Sequence, residues 1–304
     1  MRRSIIVGLV VATILCGFAL VSRQITPTQA QTDSNTNKIK VITSFYPLYE
    51  FSKNIGGTRA EISVFTPFGV EPHDWEPTAG NLIALTKSNL FVYNGVGMEP
   101  FVNKLVDSQE YSHIMFVQAS SQIKIDESSK ADPHVWLDPV FAKSEVNVIK
   151  SAMQKADPVN ANYYENNTNN YLQKLDELDS KIKSELSNCK KDKIVTFHNA
   201  FAYFGKRYGI KINSLSGIAP ESEITANDLK NLINYIKTEQ IKVIFAEELI
   251  DPKLVEVLAE ETGTKILTLS PLEGISKSEQ AKNTSYFDKM QENLASLKEA
   301  LECT

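Results

Sequence analysis

The chain has 304 residues, of which 42% are hydrophobic and 23% are charged, and its formal net charge at pH 7 is −5. An acidic balance argues against nucleic acid and against an anionic membrane surface as partners, and it mildly favours cations. The length exceeds what one typical hydrophobic core serves, so we expect two lobes.

The first thirty residues predict an export signal. Two arginines precede an apolar run over residues 5–21, and a polar stretch then ends in Thr28-Gln29-Ala30. This is typical of a signal peptide, residues 1–30, that is removed on export, and it predicts a periplasmic or otherwise extracytoplasmic protein. Cys16 could instead carry a lipid anchor. That alternative is disfavoured, because Leu15 stands directly before it where a small residue is wanted.

Export changes both the charge and the cysteine content. The mature chain keeps 29 basic and 37 acidic side chains, a formal net charge of −8, because three arginines and no acid leave with the signal. Cys189 and Cys303 are then the remaining cysteines. An even pair in an oxidising compartment predicts a disulfide bond between them.

Strand-like and helix-like runs alternate after a flexible leader over residues 31–38. In the segment 39–156 the predicted strands are IKVIT (39–43), EISVFT (61–66), LFVYN (90–94) and IMFVQ (114–118). Apolar positions at helical spacing lie between them. This alternation predicts an N-terminal α/β lobe with a mostly parallel sheet flanked by helices.

The alternation stops over residues 157–188. This segment lacks glycine, and its apolar residues recur at helical spacing from Tyr164 to Leu186. Asp157 suits an N-cap and Pro158 the first helical position. We predict one long, rigid helix of about thirty residues, roughly 45 Å in length, that joins two lobes.

A second alternating series predicts a C-terminal α/β lobe over residues 189–304. Its predicted strands are KIVTF (193–197), IKINSL (210–215), IKVIFAE (241–247) and KILTL (265–269), and a last helix runs from about Ser278 to Glu302.

Three of the four histidines follow predicted strands. His73 comes after EISVFT, His134 comes after IMFVQ through a longer loop, and His198 directly follows KIVTF. Open parallel sheets bind ligands at the carboxyl ends of their strands, so these side chains could converge. His113 precedes its strand, and we expect it at the opposite end of the sheet in a structural or surface role.

Three neutral imidazoles that meet form a site for a transition metal, above all zinc. Glu273 follows the last predicted strand and is the candidate fourth ligand. The spacing is weak evidence, because successive histidines are 61 and 64 residues apart. Three unrelated loop histidines remain the alternative.

Several neighbours of these histidines have simpler interpretations. Trp75 and Trp136 are expected to shield the site by packing. Asp74 and Asp138 could orient a ligand imidazole, although Asp138 is equally suited to cap the helix that follows. We interpret Glu247-Glu248 as structural groups or groups at the rim of a cleft.

Six motifs, in this order, resemble the metal-binding solute receptors of bacterial ABC importers, and specifically their zinc branch. They are TSFYPLYEFSKNIGG, GVEPHDWEPT, VYNGVGMEPF, DPHVWLDP, TFHNAFAYF and PLEGIS. The resemblance covers essentially the whole mature chain and implies that His73, His134 and His198 are zinc ligands. The manganese branch usually carries a glutamate at the position of His198, so this histidine favours zinc.

The chain departs from the family pattern in two places. Ser270 stands where many relatives have an aspartate that can serve as fourth ligand, which favours Glu273 within PLE. Water or Glu71 could also complete the site. In addition, SSQIKIDESSKA (residues 120–131) replaces a histidine-rich loop, so we expect little or no auxiliary metal gathering.

The resemblance implies a monomeric, non-enzymatic receptor that captures Zn²⁺ in an interlobe cleft and delivers it to a membrane permease. A manganese receptor of the same family is the nearest alternative. A zinc hydrolase, with Glu71 or Glu76 as its general base, and a surface adhesin that happens to bind metal are the others.

Overall fold

The computed structural model describes residues 38–125, 132–220, 222–249 and 251–304. The predicted signal peptide, Cys16 and most of the leader lie outside these ranges. Among the described residues, no helix combines the length and the hydropathy that a membrane span requires.

The N-terminal half contains one parallel sheet. Its strands are β1 (Ile39–Thr43), β2 (Ala60–Val64), β3 (Leu90–Tyr93) and β4 (Met115–Gln118), in the spatial order β2-β1-β3-β4. The helices of this half are α1 (Tyr46–Gly56), α2 (Ala79–Leu85), α3 (Val102–Val106) and α4 (Pro139–Ala156). Successive residues of β3 enter different cores, because Leu90 and Val92 pack on one face and Phe91 on the other.

The C-terminal half repeats this arrangement. Its strands are β5 (Lys193–Thr196), β6 (Lys211–Ser214), β7 (Val243–Ala246) and β8 (Lys265–Thr268), all parallel in the order β6-β5-β7-β8. Its helices are α6 (Ala202–Tyr208), α7 (Ala226–Thr238), α8 (Lys253–Thr262), α9 (Lys277–Ala281) and α10 (Tyr286–Ala300). The predicted fold class, two parallel sheets flanked by helices, is confirmed.

The long helix α5 (Ala161–Glu185) is shorter than the segment predicted for it. A 3-10 turn, Pro158–Asn160, precedes α5, and the Asp157 side chain accepts hydrogen bonds from Asn160 and from the Tyr164 hydroxyl. The buried face of α5 follows the predicted spacing, with Thr168 filling the gap in the apolar series. The helix packs along α4 and α1 as well as bordering α10.

One core cluster extends through both halves. It includes Val41 and Leu48 from the N-terminal half, Leu175 from α5, and Phe201 and Leu294 from the C-terminal half. The halves are therefore joined by continuous apolar packing in addition to the chain connection.

The predicted disulfide is confirmed. Cys189, just before β5, is bonded to Cys303, just after α10. Their backbones also form an antiparallel bridge. The bond ties the end of the chain to the amino end of the second sheet.

Candidate metal centre

The four ligand candidates named from the sequence lie together and are buried. Oε1 of Glu273 is 2.9 Å from Nε2 of His134 and 3.2 Å from Nε2 of both His73 and His198. The Nε2 atoms of His134 and His198 are 3.2 Å apart. One ligand atom from each of the four residues lies within 4.8 Å of every other.

These separations match the size of a tetrahedral zinc site. Zn–N and Zn–O bonds of roughly 2.0–2.1 Å place neighbouring ligand atoms of a tetrahedron about 3.3 Å apart. The measured 2.9–3.2 Å between Glu273 Oε1 and the imidazole nitrogens fall slightly below that separation. Small side-chain movements would admit the ion.

Each ligand candidate follows a parallel strand. His73 lies between β2 and α2, and His134 lies between β4 and α4. His198 comes just after β5, and Glu273 follows β8. Two candidates thus come from each half, all beyond carboxyl ends of strands, as expected for ligand sites in such sheets.

A buried carboxylate orients each of two histidines. Oδ1 of Asp132 is 2.8 Å from Nδ1 of His134 and also accepts that residue's backbone N–H. Both carboxylate oxygens of Glu247, just after β7, lie 2.7 Å from Nδ1 of His198. A hydrogen on Nδ1 directed at these carboxylates leaves Nε2 of each ring on the side of Glu273, where it can bind a metal once the proton shared with Glu273 is displaced.

His73 is held differently. Its backbone N–H donates to Oε1 of Glu71 at 2.8 Å. Within the part of the chain that the structure describes, no hydrogen bond reaches its Nδ1. His73 is also 8% exposed, whereas His134 and His198 are fully buried. It is the ligand candidate nearest to solvent.

An unusual turn carries Glu273. Leu272 is fully buried yet adopts the left-handed region, with φ of 56°. Such a conformation costs a leucine roughly 1–2 kcal/mol and persists only where the surroundings enforce it. Ser270 does so in part, since its hydroxyl accepts the N–H of Leu272 and its own backbone groups bond Asn293.

The site holds strongly interacting charges. Burial raises the pKa of Glu273, but the charge on His198 and hydrogen bonds from the imidazoles outweigh it and hold the pKa well below its ordinary value. Burial lowers the pKa of His198, and the carboxylates of Glu273 and Glu247 more than reverse this, so its pKa is well above its ordinary value. A protonated imidazole therefore balances Glu273, and a bound cation would replace that proton.

The family model for the zinc-uptake complex component A, ZnuA, described as periplasmic, matches residues 41–300. The chain belongs to this family. Its members are zinc-binding solute receptors, components of transport systems and not enzymes.

Curated and solved relatives agree with the family assignment. The high-affinity zinc uptake system protein ZnuA of Bacillus subtilis is 39% identical, over 90% of this chain and 91% of that protein. The Zn(II)-bound ZnuA-like domain of Streptococcus pneumoniae AdcA superposes with a TM-score of 0.78 at 33% identity, covering 87% of this chain and 99% of that one.

One structural neighbour bears on the adhesin alternative. The laminin-binding protein Lmb of Streptococcus agalactiae is described as a bifunctional protein with adhesin and metal transporting activity. It superposes with a TM-score of 0.80 at 30% identity, covering 87% of this chain and 99% of that one.

One of the two orienting carboxylates was not predicted from the sequence, and the role of the other was understated. Asp132 lies two residues before His134, and this spacing allows its side chain to reach the ring of His134. That spacing is the signal from which its role could have been predicted. Glu247 was interpreted as structural or as a rim group, whereas it contacts the ring of His198.

The remaining candidates have defined positions. Trp136 is fully buried against the His134 ring, with centroids 5.1 Å apart. Trp75 packs against Phe65 and Phe101. These contacts support packing roles for both tryptophans.

The other acidic neighbours lie outside the ligand group. Asp138 accepts the N–H of Val140 at the start of α4 and pairs with Arg207, so of its two alternative roles the structure shows the capping one. Asp74 and Glu76 are exposed.

His113 is exposed and lies just before β4. It is bonded through Nε2 to the carbonyl of Thr86. The surface role expected from its position before a strand is confirmed.

Proposed function

We propose that this protein captures one Zn²⁺ ion outside the cytoplasmic membrane, in a cleft between its two halves. His73, His134, His198 and Glu273 are the proposed ligands. The protein would act as a monomer and deliver the ion to the permease of an ABC-type importer.

One observation carries this proposal. A single carboxylate oxygen lies within 3.2 Å of three imidazole nitrogens, and these groups come from both halves of the molecule. Two of the imidazoles are oriented by carboxylates on their far sides, as metal-bound histidines usually are. Three nitrogen donors and one oxygen donor favour zinc over manganese, which prefers oxygen.

We also propose the division of the chain that the sequence indicates. Residues 1–30 would be the signal peptide and 31–38 a leader. The N-terminal lobe would span residues 39–156, the linking helix 157–188 and the C-terminal lobe 189–304. Mass spectrometry of the exported protein tests the first boundary, because cleavage after Ala30 leaves Gln31 as the first residue. A mass carrying diacylglycerol on Cys16 would show a lipid anchor instead.

Equilibrium titration of the metal-free protein with Zn²⁺, in competition with a chelator of known affinity, tests the ligand assignment. We expect one tight site, and we expect His134→Ala or His198→Ala to weaken binding by at least about a hundredfold, since each leaves a three-ligand site. His113→Ala is the matched control and should bind like the parent. Unchanged binding in the ligand variants would disprove the assignment.

The same material separates the alternatives. Tighter binding of Mn²⁺ than of Zn²⁺ would favour the manganese receptor. Turnover of an ester or amide library by the zinc-loaded protein would favour the hydrolase. Delivery is tested in proteoliposomes that contain the candidate permease, where zinc-loaded parent should support ATP-dependent uptake and the His198→Ala variant should not.

A further inference from the structure

Trp136 contacts both halves of the molecule at the metal centre. The residue belongs to a 3-10 turn, Val135–Leu137, directly after His134, and it is fully buried. Its ring lies 4.7 Å from the Phe45 ring and 5.1 Å from the His134 ring, measured between centroids. The aromatic part of Trp136 therefore forms one wall behind a ligand candidate.

The polar groups of Trp136 are bonded to the other half. Its indole N–H donates to the carbonyl of Pro271 at 2.8 Å, and its own carbonyl accepts the Tyr286 hydroxyl at 2.7 Å. Pro271 lies two residues before Glu273, on the far side of the left-handed Leu272. The single side-chain donor of Trp136 thus acts on the turn that carries the fourth ligand candidate.

A buried indole N–H needs an acceptor, and many carbonyls could serve. Here the acceptor is the carbonyl of Pro271, in the turn that carries Glu273. The Glu273 carboxylate lies 2.9 Å from the imidazole of His134, and the Trp136 ring packs against that same imidazole. Packing on His134 and the hydrogen bond to Pro271 therefore constrain the same two ligands, which come from different halves of the chain.

We propose that Trp136 is a positioning residue that holds His134 and Glu273 at the separation that two ligands of one metal ion require. This inference rests on the proposed zinc function. We infer that the hydrogen bond of the indole N–H, in addition to the packing of the ring, sets the geometry of the site.

The test replaces one N–H group and keeps the shape. In a Trp75→Phe parent, Trp136 is the remaining tryptophan, and it can be replaced biosynthetically by β-(3-benzothienyl)alanine, in which sulfur stands for N–H. We expect a Zn²⁺ dissociation constant about tenfold higher, because the Pro271 carbonyl loses its buried donor and the turn shifts. We also expect altered visible ligand-field bands of bound Co²⁺, which a purely structural role would leave unchanged.

A pair of hydroxyl deletions gives a second measurement. Tyr286→Phe removes the bond to the Trp136 carbonyl and should weaken zinc binding in the same direction. Tyr46→Phe is the matched control, because its hydroxyl makes the same kind of bond between the halves, to Thr284, away from the ligands. Binding by this control should equal that of the unsubstituted protein.

Each outcome decides the inference. Parental zinc affinity in the analogue protein, or a parental Co²⁺ spectrum, would overturn it. An equal loss of affinity in Tyr46→Phe would also overturn it, since the effect would then belong to contact between the halves in general. If the Trp75→Phe parent and the unsubstituted protein both bind no zinc, the proposed function is wrong and the inference fails with it.

Discussion

The carboxylates of Asp132 and Glu247 contact the far sides of two imidazoles of the proposed site, those of His134 and His198. We predict that Asp132→Asn and Glu247→Gln each weaken zinc binding by about 10- to 100-fold, as is usual when a carboxylate behind a metal-bound histidine is lost. The physical reason is that an amide can present its N–H to Nδ1, which favours the wrong tautomer and removes a negative charge.

Glu248→Gln is the control for this comparison. Glu248 follows Glu247 in the chain, but its carboxylate binds Lys289. Competition titrations should show parental zinc affinity for this variant. A loss equal to that in Glu247→Gln would mean that overall acidity near the site, rather than imidazole orientation, sets the affinity.

At this scale the sequence predicted the ligand candidates better than their supports. The histidines and Glu273 were identifiable because each follows a strand and lies in a motif. The role of Glu247 depends on β7 lying beside β5, a long-range pairing that no local pattern encodes. The role of Ser270 in shaping the Glu273 turn likewise depends on Asn293, which lies far along the chain.

Helix α4 contains a buried carboxyl group outside the metal centre. Both oxygens of Glu145 are buried, and no hydrogen bond reaches them within the described residues. Burial raises the pKa of Glu145 well above its ordinary value, and the nearby charge of Glu99 adds to this effect. The pKa of Glu99 is itself raised to about 7, chiefly by burial.

We predict that Glu145→Gln stabilises the protein increasingly as pH rises. A carboxyl whose folded pKa is raised binds its proton more tightly in the folded state, so its contribution to stability is complete below the unfolded pKa and is lost as pH rises through the folded pKa. Glutamine keeps the shape and does not ionise. Urea unfolding at pH 5 and pH 8 should show a gap between variant and parent that widens at the higher pH.

Glu177→Gln, at an exposed position of α5, is the matched control for the loss of one carboxyl group. If the Glu145→Gln gap were constant between pH 5 and pH 8, the folded and unfolded states would bind the proton of Glu145 equally, and burial would not raise its folded pKa.

The elements themselves were largely predictable. The eight strands of the described residues begin and end within two residues of their predicted bounds. Their short apolar runs stand out because segments with helical spacing separate them. The start of helix α5 was not predictable in this way. The Asp157 carboxylate accepts a hydrogen bond from the Tyr164 hydroxyl instead of capping the backbone. That side-chain bond competes with the capping pattern and leaves a 3-10 turn ahead of the helix.

The disulfide closes a loop with a sequence separation of 114 residues across the C-terminal half. We predict that Cys189→Ala with Cys303→Ala lowers the free energy of unfolding by about 2–4 kcal/mol, because the unfolded chain gains conformational freedom. Zinc affinity should be unchanged, since the bond lies at the amino end of the sheet. Chemical denaturation and zinc titration of the same samples measure both, and a large loss of affinity would contradict this separation.

The continuous core predicts limited rearrangement of the whole molecule on loading. Besides shared apolar packing, the Tyr203 hydroxyl donates to the Asp132 carbonyl across the halves. A compact chain of this size has a radius of gyration of about 19 Å. We expect this radius to change by less than about 1 Å when zinc binds. Small-angle scattering of metal-free and loaded protein measures this, and a large compaction would show a wide hinge instead.

The contact of Glu273 with three imidazoles has a consequence for the timing of transport. Donor atoms that are already assembled let an arriving ion exchange its hydration water for protein atoms in few steps. The same arrangement should make dissociation slow, because several donors would have to separate before the ion leaves. We expect the loaded receptor to keep its cargo for long periods when alone in solution. If the protein delivers zinc to a permease as proposed, release would then require contact with that permease, and the residence time of zinc would depend on how often the two proteins meet.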